Sequence, residues 1–524
     1  MRRAYGLSGC LLLAACSQPA ASPDEVEDGQ VVEDGKEDNF LSLTAQEFLF
    51  EGTARVTYPA GTSDAEIRKL ISLKHISIAW FLNAYLVEKD HEDANASYGG
   101  FSGMVKTGSY EDLEITRVSP TATDFKFSQV VAGADLMNDL PLDSRGKLTV
   151  EIGKPTNEEM ARLETNDEWY RQAPWDNWNP VNVAADKKET LTLTVREEVA
   201  STDAWWDYDR LFADGKLDID VHFGWDYHSN YHLKHSKAFY NWLVGRGFKS
   251  PVRSFDAYTR TSGPLTKKLS ADGKTVTVEV RIFYGKPGSS TEPDTDAGGK
   301  VLEDDMRDSL KKRDVIIYSG HSGPFYGFAL ANWKKTEEGD LDDADMLTVD
   351  MPGDRYQIVV AEGCDTYMIG EAFKLNPNKA GANVDVITTT TSSDASTPAV
   401  VQDFLARLIE TDASGKHRPR TLTSLLEDLD EDSYGTMYGV HGVDDNPKLH
   451  PYASDKMCDS CSRNSDCGGV GNACITAGQA GKICTAACTD DSGCGEGYRC
   501  KSVYSTSSNA IYAKMCVPVQ NRCP

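Results

Sequence analysis

Between residues 201 and 450, short continuous apolar runs alternate with stretches whose apolar positions recur at helical spacing. Asp314-Val-Ile-Ile-Tyr318 and Tyr356-Gln-Ile-Val-Val-Ala361 are runs of the kind that a sheet buries on both faces. Residues 217–223 and 384–390 read as further strands, and 275–284 alternates apolar and polar positions strictly. In 235–245, Phe239, Trp242 and Leu243 fall on one helical side, and 301–312, 367–373 and 400–410 read as helices. Strands and helices in alternation predict an α/β fold with a mostly parallel sheet and flanking helices over 201–450. In open sheets of this type, ligands sit beyond the carboxyl ends of the strands.

Residues 40–200 carry a different pattern. Short alternating runs at 54–58, 124–130, 147–152 and 189–195 are punctuated by Pro, Gly, Asn and Asp, with helices expected near 64–73 and 157–164. This predicts a β-rich α+β accessory domain. The most apolar candidate for a membrane span, 76–87, is short and follows Lys74 and His75.

The chain opens Met-Arg-Arg, continues with a short apolar stretch, and reaches Leu13-Ala14-Ala15-Cys16. A basic start, a short apolar core and small residues before a cut site make a secretory signal over 1–15. The Leu-Ala-Ala-Cys run resembles the lipobox of bacterial lipoproteins. That resemblance implies lipidation of Cys16, anchoring to a bacterial membrane and, with Ser17 following, an outer-membrane or cell-surface location. Residues 17–39 hold eight Asp or Glu against one Lys and no aromatic residue. Such a segment cannot bury enough apolar surface to order itself. We read 16–39 as an acidic flexible tether.

Composition narrows the classes. The 524 residues suffice for two or three domains, and the formal charge of −27 argues against nucleic-acid partners. The distribution of the 13 cysteines says more. Cys10 lies in the signal, Cys16 at the lipid site, and ten cluster in the tail: Cys458, Cys461, Cys467, Cys474, Cys484, Cys488, Cys494, Cys500, Cys516 and Cys523. In an oxidising compartment an even cluster pairs as disulfides, and export favours this over zinc at Cys458-x2-Cys461. Cys364 remains as the unpaired thiol.

The tail also repeats itself. Cys461, Cys467, Cys474 and Cys484 are spaced x5, x6, x9, while Cys488, Cys494, Cys500 and Cys516 are spaced x5, x5, x15. Each half places an acid or Ser before a Cys-Gly pair (Cys467-Gly468, Cys494-Gly495). The closing motifs also match, Gly481-Lys482-Ile483-Cys484 against Ala513-Lys514-Met515-Cys516. We assign 451–524 to a disulfide-rich module. It resembles the Dickkopf-like cysteine-rich modules at the ends of some bacterial surface proteins. Spacing alone leaves the connectivity open.

Two motifs carry candidate chemistry. One strand ends at Ser319-Gly320-His321-Ser322-Gly323 and the other at Glu362-Gly363-Cys364. Cys364 alone reads as a small buried hydrophobe and His321 alone as a loop histidine. Together, past the ends of two central strands, they read as a nucleophile and its proton-transfer partner. Gly320, Gly323 and Gly363 let the backbone approach a substrate carbonyl. The paired motifs resemble the caspase–gingipain–legumain superfamily of cysteine peptidases, with Glu362-Gly363-Cys364-Asp365 closest to the legumain style. The resemblance implies a caspase-like fold and attack by Cys364 on the scissile carbonyl. His321 would protonate the leaving amine. Amides near Ser322, Gly323 and Gly363 would hold the oxyanion. In the family a Gly follows the His directly; here Ser322 intervenes, and its amide is expected to donate instead.

The remaining clusters read as structural. His222, His228, His232 and His235 lack the Glu of a metalloprotease motif, so they read as a polar loop before a helix. Asp340, Asp342, Asp343 and Asp345 lack the Gly and terminal Glu of an EF-hand and read as a solvated acidic loop, with weak calcium binding left open. His441-Gly442 follows the Cys, the wrong order for the family, and belongs to the segment that closes the domain. No metal site and no other cofactor is expected. The partners expected are a protein or peptide substrate and the membrane; nothing in the sequence speaks to oligomeric state. The overall expectation is a surface-anchored cysteine endopeptidase. Its rival is a non-enzymatic surface lipoprotein that binds a partner or wall component through a degenerate peptidase-like fold and its tail.

Overall fold

The computed structural model describes residues 40–524 except 90–114, 134–139, 163–171, 176–177, 324–326, 380–381, 395, 431–434, 469–470, 505–510 and 521. The chain forms two units, Met1–Glu37 and Asp38–Pro524. The signal peptide, Cys16 and the tether lie outside the described residues.

An eight-stranded mixed sheet organises the second unit. Its strands in chain order are β1 (Leu41–Ser42), β2 (Lys216–Phe223), β3 (Leu265–Ala271), β4 (Lys274–Tyr284), β5 (Val315–Ser319), β6 (Gln357–Glu362), β7 (Val384–Thr389) and β8 (Tyr438–His441). Across the sheet they run β1-β8-β7-β6-β5-β2-β4-β3. The five central strands, β7 to β4 in that order, are parallel, whereas β8 runs antiparallel to β7, edge strand β1 antiparallel to β8, and edge strand β3 antiparallel to β4. Every side chain of β5 and β6 is buried, which explains their unbroken apolar sequences.

Helices cover both faces. Ile316, Tyr318, Val359 and Ala361 pack with Leu302, Met306 and Leu310 of helix Asp296–Lys312 and with Met368 and Phe373 of helix Tyr367–Lys374. The alternate residues Val315, Ile317, Ile358 and Val360 pack with Phe239 and Leu243 of helix Tyr231–Gly245 and with Phe404 and Leu405 of helix Ala399–Leu408. Each such fully buried side chain stabilises the layer by about 1.5–3 kcal/mol. From β2 the chain turns toward β4, and from β5 toward β6. The connections therefore diverge between β2 and β5, the point where α/β sheets open a crevice.

A separate five-stranded antiparallel sheet, ordered Ile115–Ser119, Ala122–Gly133, Gln46–Thr57, Lys188–Glu197, Lys147–Gly153, precedes it in sequence. Helix Asp64–Lys89 packs on this sheet, and Ile71, Ile76, Ile78, Phe81 and Leu82 are buried. The apolar run at 76–87 is thus the interior of a core helix, and among the described residues no helix is long and apolar enough to cross a membrane. Lys74, also buried, is ion-paired with Glu189.

The tail contains two copies of one unit. Each has a short 3-10 turn, Asn464–Cys467 or Asp491–Cys494, followed by a hairpin, Asn472–Thr476 with Lys482–Ala486 or Tyr498–Tyr504 with Ile511–Pro518. Disulfides Cys461–Cys474 and Cys467–Cys484 join first to third and second to fourth cysteine. Cys488–Cys500 and Cys494–Cys516 repeat that pattern, and Cys458–Cys523 clasps the pair. In the loop-entropy account each short bridge contributes about 3 kcal/mol and the clasp about 4. Such bridges replace the large core that a module of this size lacks. It docks through 447–452, where the His450 amide donates to the Ala487 carbonyl at 3.0 Å.

Two outcomes follow. Non-reducing peptide mapping should recover these five pairs, and a Cys461–Cys484 or Cys488–Cys516 bridge would overturn the repeat. Acid should also weaken the fold. Burial holds His75, His232, His417 and His450 at about 4, and His222 and His441 at about 3. Their folded values lie below the ordinary 6.5, so their contribution is full above that pH and is lost on acidification toward 4. Burial raises Glu47 to about 7 and Asp314 to about 6, and shifts Asp207, Asp220, Asp305, Asp345 and Asp403 the same way, which opposes this, whereas Asp226, held at about 2, adds to it. The urea midpoint should therefore fall between pH 7.5 and pH 5; an unchanged midpoint would contradict the assignment.

Candidate active site

Three neighbouring parallel strands end in register. Phe223 of β2 pairs with Ser319 of β5, which pairs with Glu362 of β6. The next residue in each chain is glycine: Gly224, Gly320 and Gly363. The ladder continues through this row, with Gly224 N–H donating to the Ser319 carbonyl at 2.9 Å and Gly320 N–H to the Glu362 carbonyl at 3.1 Å. A Cβ on Gly320 would lie 2.7 Å from the Gly224 Cα, and one on Gly363 would lie 2.2 Å from the Ser322 Oγ and 2.9 Å from the Gly320 carbonyl. Side chains in this row would push the loops apart.

Beyond the glycines stand the polar groups. His321 and Cys364 each follow their glycine directly, and Asp226 follows Gly224 by two residues. His321 Nε2 lies 2.9 Å from Asp226 Oδ1. Asp226 is buried, and its Oδ2 accepts the Ser229 and Tyr231 amides at 2.8 and 3.0 Å. Burial alone would raise the Asp226 carboxyl, but these amides and His321 hold it at about 2. At neutral pH it is a carboxylate that only accepts, so Nε2 of His321 carries the proton and Nδ1 is the basic nitrogen. Burial pushes the imidazole below its ordinary value, against the pull of Asp226. Tyr227 stacks on the ring at 4.6 Å, and Lys334 lies over the Tyr227 ring at 4.2 Å.

Cys364 is half-buried and is the one free cysteine among the described residues. Burial, then the neighbouring Asp365 carboxylate, pushes the thiol up, with Ser393 opposing through its amide and hydroxyl. Asp365 adopts a left-handed φ of 52°, turning the chain sharply from β6 into helix Tyr367–Lys374. Among the described residues no hydrogen bond joins the His321 ring to the sulfur. Both shifts leave the thiol protonated and the imidazole neutral at neutral pH. Such a pair supports chemistry in which the base removes the proton as the sulfur attacks.

Ser322 is buried, and its hydroxyl donates to the Cys364 carbonyl at 2.6 Å, tying the two loops together. Ser322–Gly323 pairs with Gly327–Ala329 in a short antiparallel strand. Asp226, His321, Gly320, Glu362 and Asp394 line a small cleft. A wider surface concavity lies elsewhere, on the five-stranded sheet, lined by Lys126, Lys147 and Thr192 among others. It carries no nucleophile or base pair, so we place the chemistry at the strand ends.

The other clusters separate. His222 is buried in β2, stacked on Phe283 and 2.9 Å from Ser309 Oγ. His232 and His235 are buried on the first turns of helix Tyr231–Gly245, and His228 alone is exposed. His441 is buried in β8, 3.2 Å from Thr388 Oγ1. The acidic stretch is no solvated loop: Asp342 caps helix Asp343–Met346, Asp343 is buried and Asp345 pairs with Arg307 at 2.7 Å.

Asp226 was not singled out from sequence, although a signal existed. Phe223-Gly224-Trp225-Asp226 repeats the strand-then-glycine pattern of Ser319-Gly320-His321 and Glu362-Gly363-Cys364.

Gly320→Ala should lower stability by about 1–3 kcal/mol in denaturant titration, because the added methyl meets backbone. A neutral change would dissolve the glycine row as a constraint. Iodoacetamide alkylation of Cys364, followed by mass spectrometry, should show a higher inflection pH in the native protein than in urea. A lower one would indicate a resting thiolate instead. No protein-family model matches this chain, and no curated protein or solved structure gives a significant match.

Proposed function

We propose that this chain is an exported, membrane-anchored cysteine endopeptidase in which Cys364 attacks a peptide carbonyl with His321 as base and then acid. The observation that supports this most is register: His321 and Cys364 sit one residue past the paired glycines of adjacent parallel strands. Their order and motifs are those in which the chain resembles the caspase–gingipain–legumain superfamily. The Cys364 thiol gives its proton to His321 Nδ1 as the sulfur–carbon bond forms. The imidazolium, stabilised by Asp226, returns that proton to the leaving amine as the carbon–nitrogen bond breaks. Water then cleaves the thioester. Ser322, Gly323 and Gly363 would supply amides to the oxyanion.

The five tail disulfides fit an oxidising destination, and Cys16 would hold the protein to a bacterial membrane, at its surface or outer leaflet. The raised thiol favours the second reading, a surface lipoprotein that binds a partner without cleaving it.

Peptide-library cleavage by the purified chain beside its Cys364→Ala variant separates the two. Cleavage lost in the variant is expected; no cleavage by either, under reducing conditions and with calcium, would favour the binding lipoprotein. Asp226→Asn should lower kcat on the order of 10²-fold with little change in KM, since Asp226 orients the base rather than the substrate. An unchanged kcat would remove Asp226 from the mechanism.

A further inference from the structure

We propose that Asp226, His228 and His321 form a site for a divalent transition metal of the zinc type, and that filling it disables His321 as a base. Each residue offers one ligand atom, and these atoms lie within 4.8 Å of one another. Ligands at tetrahedral zinc stand about 3.3 Å apart, given metal–ligand distances near 2.0–2.1 Å. The contact of 2.9 Å between Asp226 Oδ1 and His321 Nε2 already lies near that spacing. Two imidazoles and one carboxylate suit zinc, cobalt or nickel; calcium and magnesium prefer all-oxygen sets. Three protein ligands leave a fourth position for water.

The surroundings prepare the ligands. Asp226 Oδ2 is fixed by the Ser229 and Tyr231 amides, so Oδ1 is the oxygen left to face an ion. The Asp226 amide donates to Nδ1 of buried His232 at 3.2 Å, which anchors the start of the loop from the helix behind it. Fixed outer partners of this kind raise metal affinity. His228 is exposed, so an ion reaches the site from solvent without opening the fold. The formal charge of −27 favours cations near the surface; Lys334, on Tyr227, is the cationic group that opposes this locally. His228-x3-His232, the spacing that suggests zinc in the sequence, is not the ligand pair, because the buried His232 stands outside the group whose ligand atoms lie within 4.8 Å of one another.

The consequence follows from the tautomer. Unfilled, Nε2 of His321 donates to Asp226 and Nδ1 holds the free lone pair. A metal takes the Nε2 lone pair, the Nε2 proton leaves to solvent, and the neutral ring takes a proton at Nδ1. Nδ1 then has no lone pair to accept the Cys364 proton. Inhibition needs no bond from the metal to sulfur.

Metal binding stands on geometry independently of peptidase activity, so the test reads binding first. The purified chain is titrated with zinc by calorimetry and with cobalt by visible absorption, beside His228→Ala, His228→Gln and Cys364→Ala. One ion per chain at micromolar affinity or tighter is expected, with cobalt bands of tetrahedral intensity. Both His228 variants should weaken binding at least tenfold, while Cys364→Ala should bind as the parent does. Circular dichroism checks that the variants fold, which the exposure of His228 favours. Absence of stoichiometric binding, or His228 variants that bind like the parent, would overturn the site. Where cleavage is detected, zinc should suppress it and a chelator restore it; cleavage unaffected at saturating zinc would overturn the tautomer argument while leaving the peptidase reading intact.

Discussion

The candidate site depends on backbone meeting backbone. Gly224, Gly320 and Gly363 continue the hydrogen-bonded register of β2, β5 and β6 by one residue, at separations that leave no room for a Cβ at Gly320 or Gly363. Because this row is tight, the residues beyond it are held as a second row, and side chains far apart in sequence meet at one edge. Asp226 and His321 are 95 residues apart and hydrogen-bonded. Ser322, reaching back to the Cys364 carbonyl, then closes the row across the His and Cys loops.

Electrostatics divides the labour along that edge. Asp226 keeps its charge because two amides and an imidazole replace the water it lost. Cys364 receives no comparable compensation: the nearest charges are carboxylates, and Ser393 offsets them only in part. One acid is therefore fixed as an anion while the thiol stays protonated. In the proposed reaction, charge would be created at the sulfur and imidazole together rather than stored beforehand.

Sequence pattern exposed most of the central sheet, for a physical reason. Strands buried on both faces must be apolar throughout, so 315–319 and 357–362 stand out, and the amphipathic helices between them follow. What it did not expose were elements defined by partners rather than by composition. Leu41 and Ser42 form an edge strand only because β8 lies beside them, and Phe40 fills the space over Gly439. Helix Asp64–Lys89 looked short because Lys74, His75 and Ser77 interrupt its apolar run, yet all three are buried, Lys74 through an ion pair. In the site, His321 and Cys364 were legible as residue types with chemistry. Asp226 was hidden among ordinary acids, and only the repeated glycine offset marks it. The tail's repeat was visible in its spacing, but the first-to-third, second-to-fourth pairing required the hairpins, which set Cys474 opposite Cys484 and Cys500 opposite Cys516.

The burial that raises the Cys364 thiol also bears on how the chain reaches its native pairing. Among the described residues, ten tail cysteines form five disulfides in the same polypeptide as the free Cys364 thiol. Exchange proceeds through thiolate attack, so a reduced thiol that stayed ionised and open would compete for those bonds. Cys364 avoids this by sitting half-buried between Asp365 and Glu362, where the thiolate is disfavoured until a base is brought to it. The tail, meanwhile, closes each pair within its own repeat over 12 to 22 residues, distances at which local partners outcompete a cysteine in another layer of the fold. A protonated thiol and short-range pairing thus solve one problem from two sides. They allow a chain that oxidises its tail to keep Cys364 free.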